Sequence, residues 1–120
     1  MQVPSQVLRS SSPPDAVLAL KNSTTIHAFE VLQKFSISIP GTVALLGYDD
    51  FELAATLRPS ITVVQQPVEA MGRTAAQLLF ELLSEQHSLH NVDQPSSPRH
   101  VRLNTCLIRR SSCGCVPPAD

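Results

Sequence analysis

Two polar positions in the sequence follow short apolar runs, which is where ligand sites form in α/β proteins. Asp49 and Asp50 come directly after the apolar run 42–48, and Asn22 follows the run 16–20. Ligands bind beyond the carboxyl ends of parallel strands, so an amide and two carboxylates at that edge can converge on a small molecule with hydroxyl or amine groups. Asn22, Asp49 and Asp50 are therefore the predicted ligand-binding residues.

The same residue types also have structural and catalytic uses. Asn22 could cap the following helix, and Asp49 or Asp50 could cap a short turn. A carboxylate pair after a strand could instead hold Mg²⁺, as in proteins that resemble response-regulator receivers. That set lacks members, because the next strand ends in Gln65-Gln66 and no Lys follows a later strand. These alternatives stay open at the level of sequence.

Other patterns that carry chemistry are missing from the sequence. No Gly-x-Ser-x-Gly motif accompanies the four scattered histidines, so no catalytic residue is predicted. The three cysteines, Cys106, Cys113 and Cys115, crowd near one end with no second Cys/His pair at zinc spacing. The prediction is a non-enzymatic protein with reduced thiols, no metal site and no cofactor.

The hydrophobic pattern predicts an α/β protein with a parallel sheet. Strands are expected at 16–20, 42–48 and 61–64, an amphipathic helix at 23–35, and a long helix from Pro67 to about Ser84. One or two closing strands are expected within 101–108, at a sheet edge. Residues 1–14 are predicted to be a disordered linker, 15–115 the folded part, 85–98 an exposed loop within it, and 116–120 a tail.

Charge and hydropathy exclude several partners. Nine Lys and Arg residues face ten Asp and Glu residues, for a net charge of −1, so the surface is not suited to grip nucleic acid or anionic lipid. No apolar run reaches the length of a membrane-spanning helix, and the first residues lack the pattern of a secretory signal. A cytoplasmic location with no membrane partner is predicted.

Three ordered motifs give the chain a resemblance to a known family. The segment from Pro14 to Asn22, the segment from Ile39 to Asp50, and the segment from Ser60 to Gly72 occur at family-like spacing, followed by an ending at 107–115. Together they resemble the C-terminal part of LacI/GalR-family transcriptional regulators. The resemblance covers about residues 13–115.

That resemblance implies a partial periplasmic-binding-protein-like (type I) fold, with two incomplete lobes and an effector in the cleft. Residues 15–49 and about 99–112 would belong to one lobe and residues 51–84 to the other. In the family the position of Asn22 is often Asp and contacts a sugar hydroxyl, and Asp49 and Asp50 match an acidic motif near the cleft. A small polar, sugar-like effector is the implied ligand.

The resemblance also implies partners for the complete protein. The helix with Ile26 and Phe29 corresponds to one at the family's dimer interface, which implies a homodimer, although its apolar face could instead cover the sheet. DNA would be bound only through an N-terminal headpiece, which this sequence does not contain. The alternative expectation is an inactive truncated remnant.

Overall fold

The computed structural model describes residues 8, 10–88 and 98–115, and for residues 85–88 it describes the backbone. The chain divides into two compact units. The first is formed by residues up to Gln66 and from Cys106 onward, and the second by Pro67–Thr105. Each unit has its own elements.

The first unit contains a four-stranded sheet in the order β1-β2-β3-β4. Its strands are β1 (Ala16–Ala19), β2 (Ala44–Tyr48), β3 (Thr62–Gln65) and β4 (Cys106–Ile108). The first three run parallel, and β4 pairs antiparallel with β3 at the edge. This arrangement confirms the predicted mostly parallel α/β sheet, and it places β4 at an edge as expected.

Helix α1 (Asn22–Lys34) connects β1 to β2 and packs on the sheet. Its buried face consists of Thr25, Ala28, Phe29 and Leu32. These residues pack against strand and loop residues of the same core, namely Val43, Leu45, Ala54, Ile61 and Val63. In this β-strand-helix-β-strand crossover, α1 covers one face of the sheet. Strand β1, at the sheet edge, is not covered on both faces, because Leu18 is 57% exposed.

The position of Phe29 differs from the expectation that it faces a second subunit. Only 6% of Phe29 is exposed, because its ring lies in the core of its own unit. Ile26 is half-buried. The interface role of Ile26 stays a prediction, whereas Phe29 is a core residue.

The second unit is built around helix α2 (Val68–Ser88). The helix ends four residues beyond the predicted end at Ser84, because Glu85, Gln86 and His87 continue it. The rest of the predicted loop, 89–97, lies outside the described residues, as do 1–7 of the predicted linker and the tail 116–120. The described part of 98–105 forms no strand, so Val101 and Leu103 are not part of the sheet.

Ion pairs lie on the surface of this unit. Arg73 and Glu69, one helical turn apart, are joined at 2.7 Å, and Arg99 donates to Glu81 at 2.5 Å. Across residues 8, 10–88 and 98–115, neither helix combines the length and apolar character required to cross a bilayer.

Candidate functional site

The parallel register brings the ends of three strands to one edge of the sheet. Ala19 pairs with Gly47, and Tyr48 pairs with Val64, so β1, β2 and β3 end side by side. The chain places Asn22 shortly after β1, Asp49 directly after β2 and Gln66 directly after β3. We call these three residues the polar rim.

Asn22 is tied to the end of β2. With its amide nitrogen turned toward that strand, Nδ2 donates to the main-chain oxygens of Asp49 at 2.8 Å and Tyr48 at 3.2 Å. Helix α1 begins at Asn22 itself, and the N-cap position, Lys21, makes no side-chain cap hydrogen bond. Asn22 is therefore not the cap of its helix, and its side chain joins β1 and β2 beyond the last ladder bond.

Asp49 links the other two strands of the rim. Its backbone N–H donates to the Val64 oxygen at 2.8 Å, and its Oδ1 accepts a hydrogen bond from Gln66 Nε2 at 2.5 Å. Its φ of +70° lies in the left-handed region, which Asp tolerates better than most residues. Among the described residues no hydrogen bond reaches Oδ2, so this oxygen keeps its acceptor capacity for a ligand.

Asp50 points to a different partner from Asp49. Arg110 donates from Nη1 to Asp50 Oδ1 at 2.9 Å and from Nη2 to Oδ2 at 2.7 Å. The Asp50 side chain is 23% exposed and that of Arg110 is 16% exposed, so this is a partly buried bidentate pair. Asp50 Oδ1 also accepts from the Phe51 N–H at 3.0 Å, as a turn residue does.

The hydrogen bonds from Arg110 hold the pKa of Asp50 below its usual value, because they outweigh the desolvation that acts in the opposite direction. Arg110 Nη1 donates in addition to the Ile61 oxygen at 2.8 Å. The pair thus fastens the segment after β4 to the sheet. Both Asp50 oxygens are engaged, so its predicted contact with a ligand would require this pair to open.

Sequence reasoning missed two residues of this region. Gln66 follows β3 in the same way that Asp49 follows β2, so the strand-end argument contained the signal for it. Arg110 carried no such signal, because its partner lies sixty positions earlier in the chain.

The donor set at this edge does not match a magnesium site. Asp49 is the one carboxylate of the rim, and its neighbours Asn22 and Gln66 are amides. The adjacent carboxylate, Asp50, is paired with Arg110. Within the described residues no cluster of three or more His, Cys, Asp or Glu side chains could hold a metal ion. What the rim offers instead is a mixture of neutral donors and acceptors with one carboxylate, which suits hydroxyl groups.

Comparison with known proteins identifies what this arrangement is similar to. The family model for the periplasmic binding protein-like domain matches residues 2–113. A curated relative, the HTH-type transcriptional repressor MelR of Bacillus subtilis, is 32% identical over 103 residues, which is 86% of this chain and 27% of the relative. The chain thus spans about a quarter of the length of that repressor.

Solved structures agree with that match. A putative transcriptional regulator of the LacI family from Sanguibacter keddieii superposes with a TM-score of 0.81 and 27% identity, over 95% of this chain and 41% of that one. The complex of the transcriptional regulator CelR with cellobiose superposes with a TM-score of 0.69 and 34% identity, over 82% of this chain and 28% of that one.

Proposed function

The chain belongs to the LacI/GalR family of transcriptional regulators, as part of the periplasmic binding protein-like effector domain, and we propose that its polar rim senses a sugar-like effector. The observation that carries the proposal is the convergence of Asn22, Asp49 and Gln66 at one sheet edge. In the whole regulator, effector binding would change how the protein holds DNA.

The chemistry of the rim supports a polyhydroxylated ligand. The Asp49 carboxylate accepts hydrogen bonds from hydroxyl groups, and amide side chains both donate and accept. A charged acceptor forms the stronger hydrogen bonds, so Asp49 would provide most of the affinity of the rim. The rim contains no cationic side chain, so a phosphorylated ligand is less well matched than a neutral sugar. The similarity to a regulator solved with cellobiose agrees with this choice.

The path of the chain supports a sensing role. Gln66 is the last residue of the first unit, and Pro67 begins the second. A ligand hydroxyl at Asp49 Oδ2 would bind the same carboxylate that Gln66 holds through Oδ1, so binding would bear directly on the residue where the chain leaves the sheet. An effector that binds one conformation of a regulator more tightly than another shifts their populations, which is how an effector acts at a distance.

The whole protein is proposed to be a homodimeric, cytoplasmic and non-enzymatic regulator. DNA contact would be made by a headpiece of the helix-turn-helix type named for the MelR relative. Ile26, on the half-buried flank of α1, is the proposed interface residue. The rim itself contains no nucleophile with an adjacent general base, so it offers binding without chemistry.

Calorimetric titration of the full chain tests the proposal. The probes are cellobiose, ribose and adenosine, applied to the native chain, Asp49→Asn and Asn22→Ala. The matched control is Glu52→Gln, which removes a carboxylate from an exposed side chain outside the rim. We expect a sugar to bind, with affinity weakened roughly tenfold or more by Asp49→Asn, since hydrogen bonds to charged groups contribute about 1.5–3 kcal/mol.

Two results would contradict the proposal. One is a cooperatively unfolding chain that binds none of the probes. The other is equal weakening by Glu52→Gln and Asp49→Asn, because binding would then depend on overall charge. Preferential binding of adenosine would keep the rim as the site and replace the sugar as its effector class.

A further inference from the structure

Two cysteines share one tight turn near the end of the first unit. A single 3₁₀ turn, Ser111–Cys113, leads into Gly114, whose φ of +70° folds the chain back on itself. The Cys115 N–H consequently donates to Cys113 Sγ at 3.2 Å. The Cys115 thiol lies 3.9 Å from the Cys113 oxygen, also as a donor. The backbone thus brings both sulfurs to one tight turn.

The two thiols have different environments. Burial opposes ionisation of Cys113, but hydrogen bonds from Thr62 and from Cys115 outweigh it and lower the pKa of the Cys113 thiol. The hydrogen bond with Cys113 raises the pKa of the Cys115 thiol. Cys113 therefore loses its proton more readily than an ordinary cysteine, and Cys115 loses its proton less readily.

We propose that Cys113 and Cys115 form a reversible oxidation site for hydrogen peroxide, in which Cys113 attacks the oxidant and Cys115 closes a disulfide. The thiolate is the reactive form of cysteine, and a resolving thiol beside it converts the first oxidation product before further damage. Cys115 is exposed and Cys113 is half-buried, so a small oxidant can reach the pair. This inference is independent of the proposed effector site.

The reaction balances with hydrogen peroxide as the oxidant. Cys113 sulfur attacks one peroxide oxygen, the O–O bond breaks, and a proton converts the departing hydroxide to water, which leaves Cys113 as a sulfenic acid. The Cys115 sulfur then attacks the Cys113 sulfur, the S–O bond breaks, and the hydroxide leaves with the Cys115 proton as a second water. Two electrons pass from the thiol pair to the peroxide.

A disulfide is better supported than a metal site. Among the described residues no third His, Cys, Asp or Glu joins these thiols in a cluster that could hold a metal ion. Gly114 permits the turn, because glycine adopts a φ of +70° without the strain that a side chain would cause there. A short loop of this kind makes a labile disulfide, which thiols can reduce again.

The chain supplies an internal control. Cys106 is exposed, and its thiol donates to Gln65 Oε1 at 3.6 Å. Among the described residues, no hydrogen bond joins Cys106 to a second thiol. Trypsin cleaves after Arg102, Arg109 and Arg110, so Cys106 falls in peptide 103–109 and the pair falls in peptide 111–120. Both sites are therefore measured in one digest.

The experiment treats the full chain with limiting hydrogen peroxide, blocks remaining thiols with iodoacetamide and reads the tryptic peptides by mass spectrometry. We expect peptide 111–120 to lose two hydrogens and to become resistant to alkylation. This oxidation should be roughly tenfold faster than oxidation of Cys106, since thiolate character sets the rate. Dithiothreitol should restore alkylation at both cysteines. Cys115→Ser should leave a sulfenic acid on Cys113 that dimedone traps, and Gly114→Ala should slow closure of the disulfide.

The proposal is overturned if the paired cysteines stay alkylatable while Cys106 is oxidised. It is also overturned if oxidation links chains to one another in place of closing the loop within peptide 111–120. A Cys113→Ser variant in which Cys115 reacts as fast as Cys113 does in the native chain would reverse the assigned roles and contradict Cys113 as the attacking thiolate.

Discussion

The side-chain amide nitrogen of Asn22 lies 2.8 Å from the main-chain oxygen of Asp49, so the first residue of α1 is bonded to the end of the neighbouring strand. A main-chain acceptor at the end of a strand has no ladder partner, and the amide satisfies it. The bond also fixes Asn22 beside the backbone of Asp49. A structural hydrogen bond thereby positions a candidate ligand contact.

The left-handed backbone at Asp49 leads to a first prediction. Non-glycine residues in this region cost about 1–2 kcal/mol, and Asp offsets part of that cost with local hydrogen bonds. We expect Asp49→Ala to lower the free energy of unfolding by about 1 kcal/mol relative to Asp49→Gly, because only glycine adopts φ of +70° freely. Urea denaturation followed by circular dichroism measures both. Equal stabilities would show that the backbone relaxes at this position.

Close packing at Gly47 leads to a second prediction. A Cβ at Gly47 would lie 2.9 Å from Thr25 Oγ1 and 3.2 Å from Val63 Cγ1. Thr25 is a buried, β-branched helix residue that has no room to move aside, so Gly47→Ala should cost about 1–3 kcal/mol of stability. The midpoint of urea unfolding measures the loss.

Gly72 provides the matched control for that substitution. It is exposed within α2, and a Cβ there would meet nothing within 4 Å. Gly72→Ala should therefore stabilise the helix by about 0.4–1 kcal/mol. If Gly47→Ala were as stable as Gly72→Ala, the contact between α1 and β2 would be looser than the distances indicate.

The buried Ser112 hydroxyl leads to a third prediction. Ser112 Oγ accepts from the Thr62 N–H at 2.8 Å and donates to the Leu45 oxygen at 2.5 Å, with 0% of the residue exposed. Ser112 therefore provides a partner for one backbone oxygen of β2 and one backbone N–H of β3. Ser112→Ala leaves a buried donor and acceptor without partners, which costs about 1–3 kcal/mol for each group.

The neighbouring serine tests the importance of burial. Ser111 also hydrogen-bonds across to Ser60, but this contact is exposed, so water replaces it on substitution. Ser111→Ala should change the urea midpoint much less than Ser112→Ala. A larger effect at Ser111 would contradict the bridging role of Ser112.

The Asp50–Arg110 pair leads to a fourth prediction, on pH. The pKa of Asp50 is lowered in the folded protein, so its contribution is fully present above the ordinary value of 3.8 and is lost as pH falls through the lower folded value. Asp50→Asn should reduce stability at pH 7 by about 1.5–3 kcal/mol, since it weakens hydrogen bonds to a charged group. The same substitution should cost little once the pH is well below 3.8.

Unfolding midpoints at neutral and acid pH measure this dependence, with Glu52→Gln as the exposed carboxylate control. The difference between the native chain and Asp50→Asn should shrink toward acid pH. A difference that is constant across the range would mean that Asp50 contributes by shape and not by charge.

The apolar runs were sufficient to predict the parallel sheet. Residues 16–20 and 42–48 are apolar runs of strand length, and their ends predicted that Asn22 and Asp49 lie at one edge of the sheet. Coverage of both faces does not explain the first run, because Leu18 is 57% exposed. The end of α2 could not be predicted in the same way, because Glu85 and Gln86 are polar yet favour helix, and polarity alone does not distinguish a helix from a loop.

The partner of each acidic residue could not be predicted. Asp49 and Asp50 are adjacent and chemically identical, but one meets Gln66 and the other meets Arg110. That difference depends on the left-handed turn at Asp49 and on where the chain returns after the second unit. Burial of Phe29 likewise follows from which side of α1 meets the sheet, and an apolar stripe alone does not say whether a sheet or a second subunit covers it.

The second unit is an insertion between β3 and β4, because Gln65 and Cys106, on either side of it, pair in antiparallel strands. The chain departs and comes back through neighbouring strands, so thirty-nine intervening residues, Pro67–Thr105, occupy the place of a hairpin loop. Replacement of Pro67–Thr105 by Asn-Gly would leave a short loop that keeps Gln66 and would preserve every strand pairing of the first unit. The rim and the thiol pair could then be studied on a minimal scaffold.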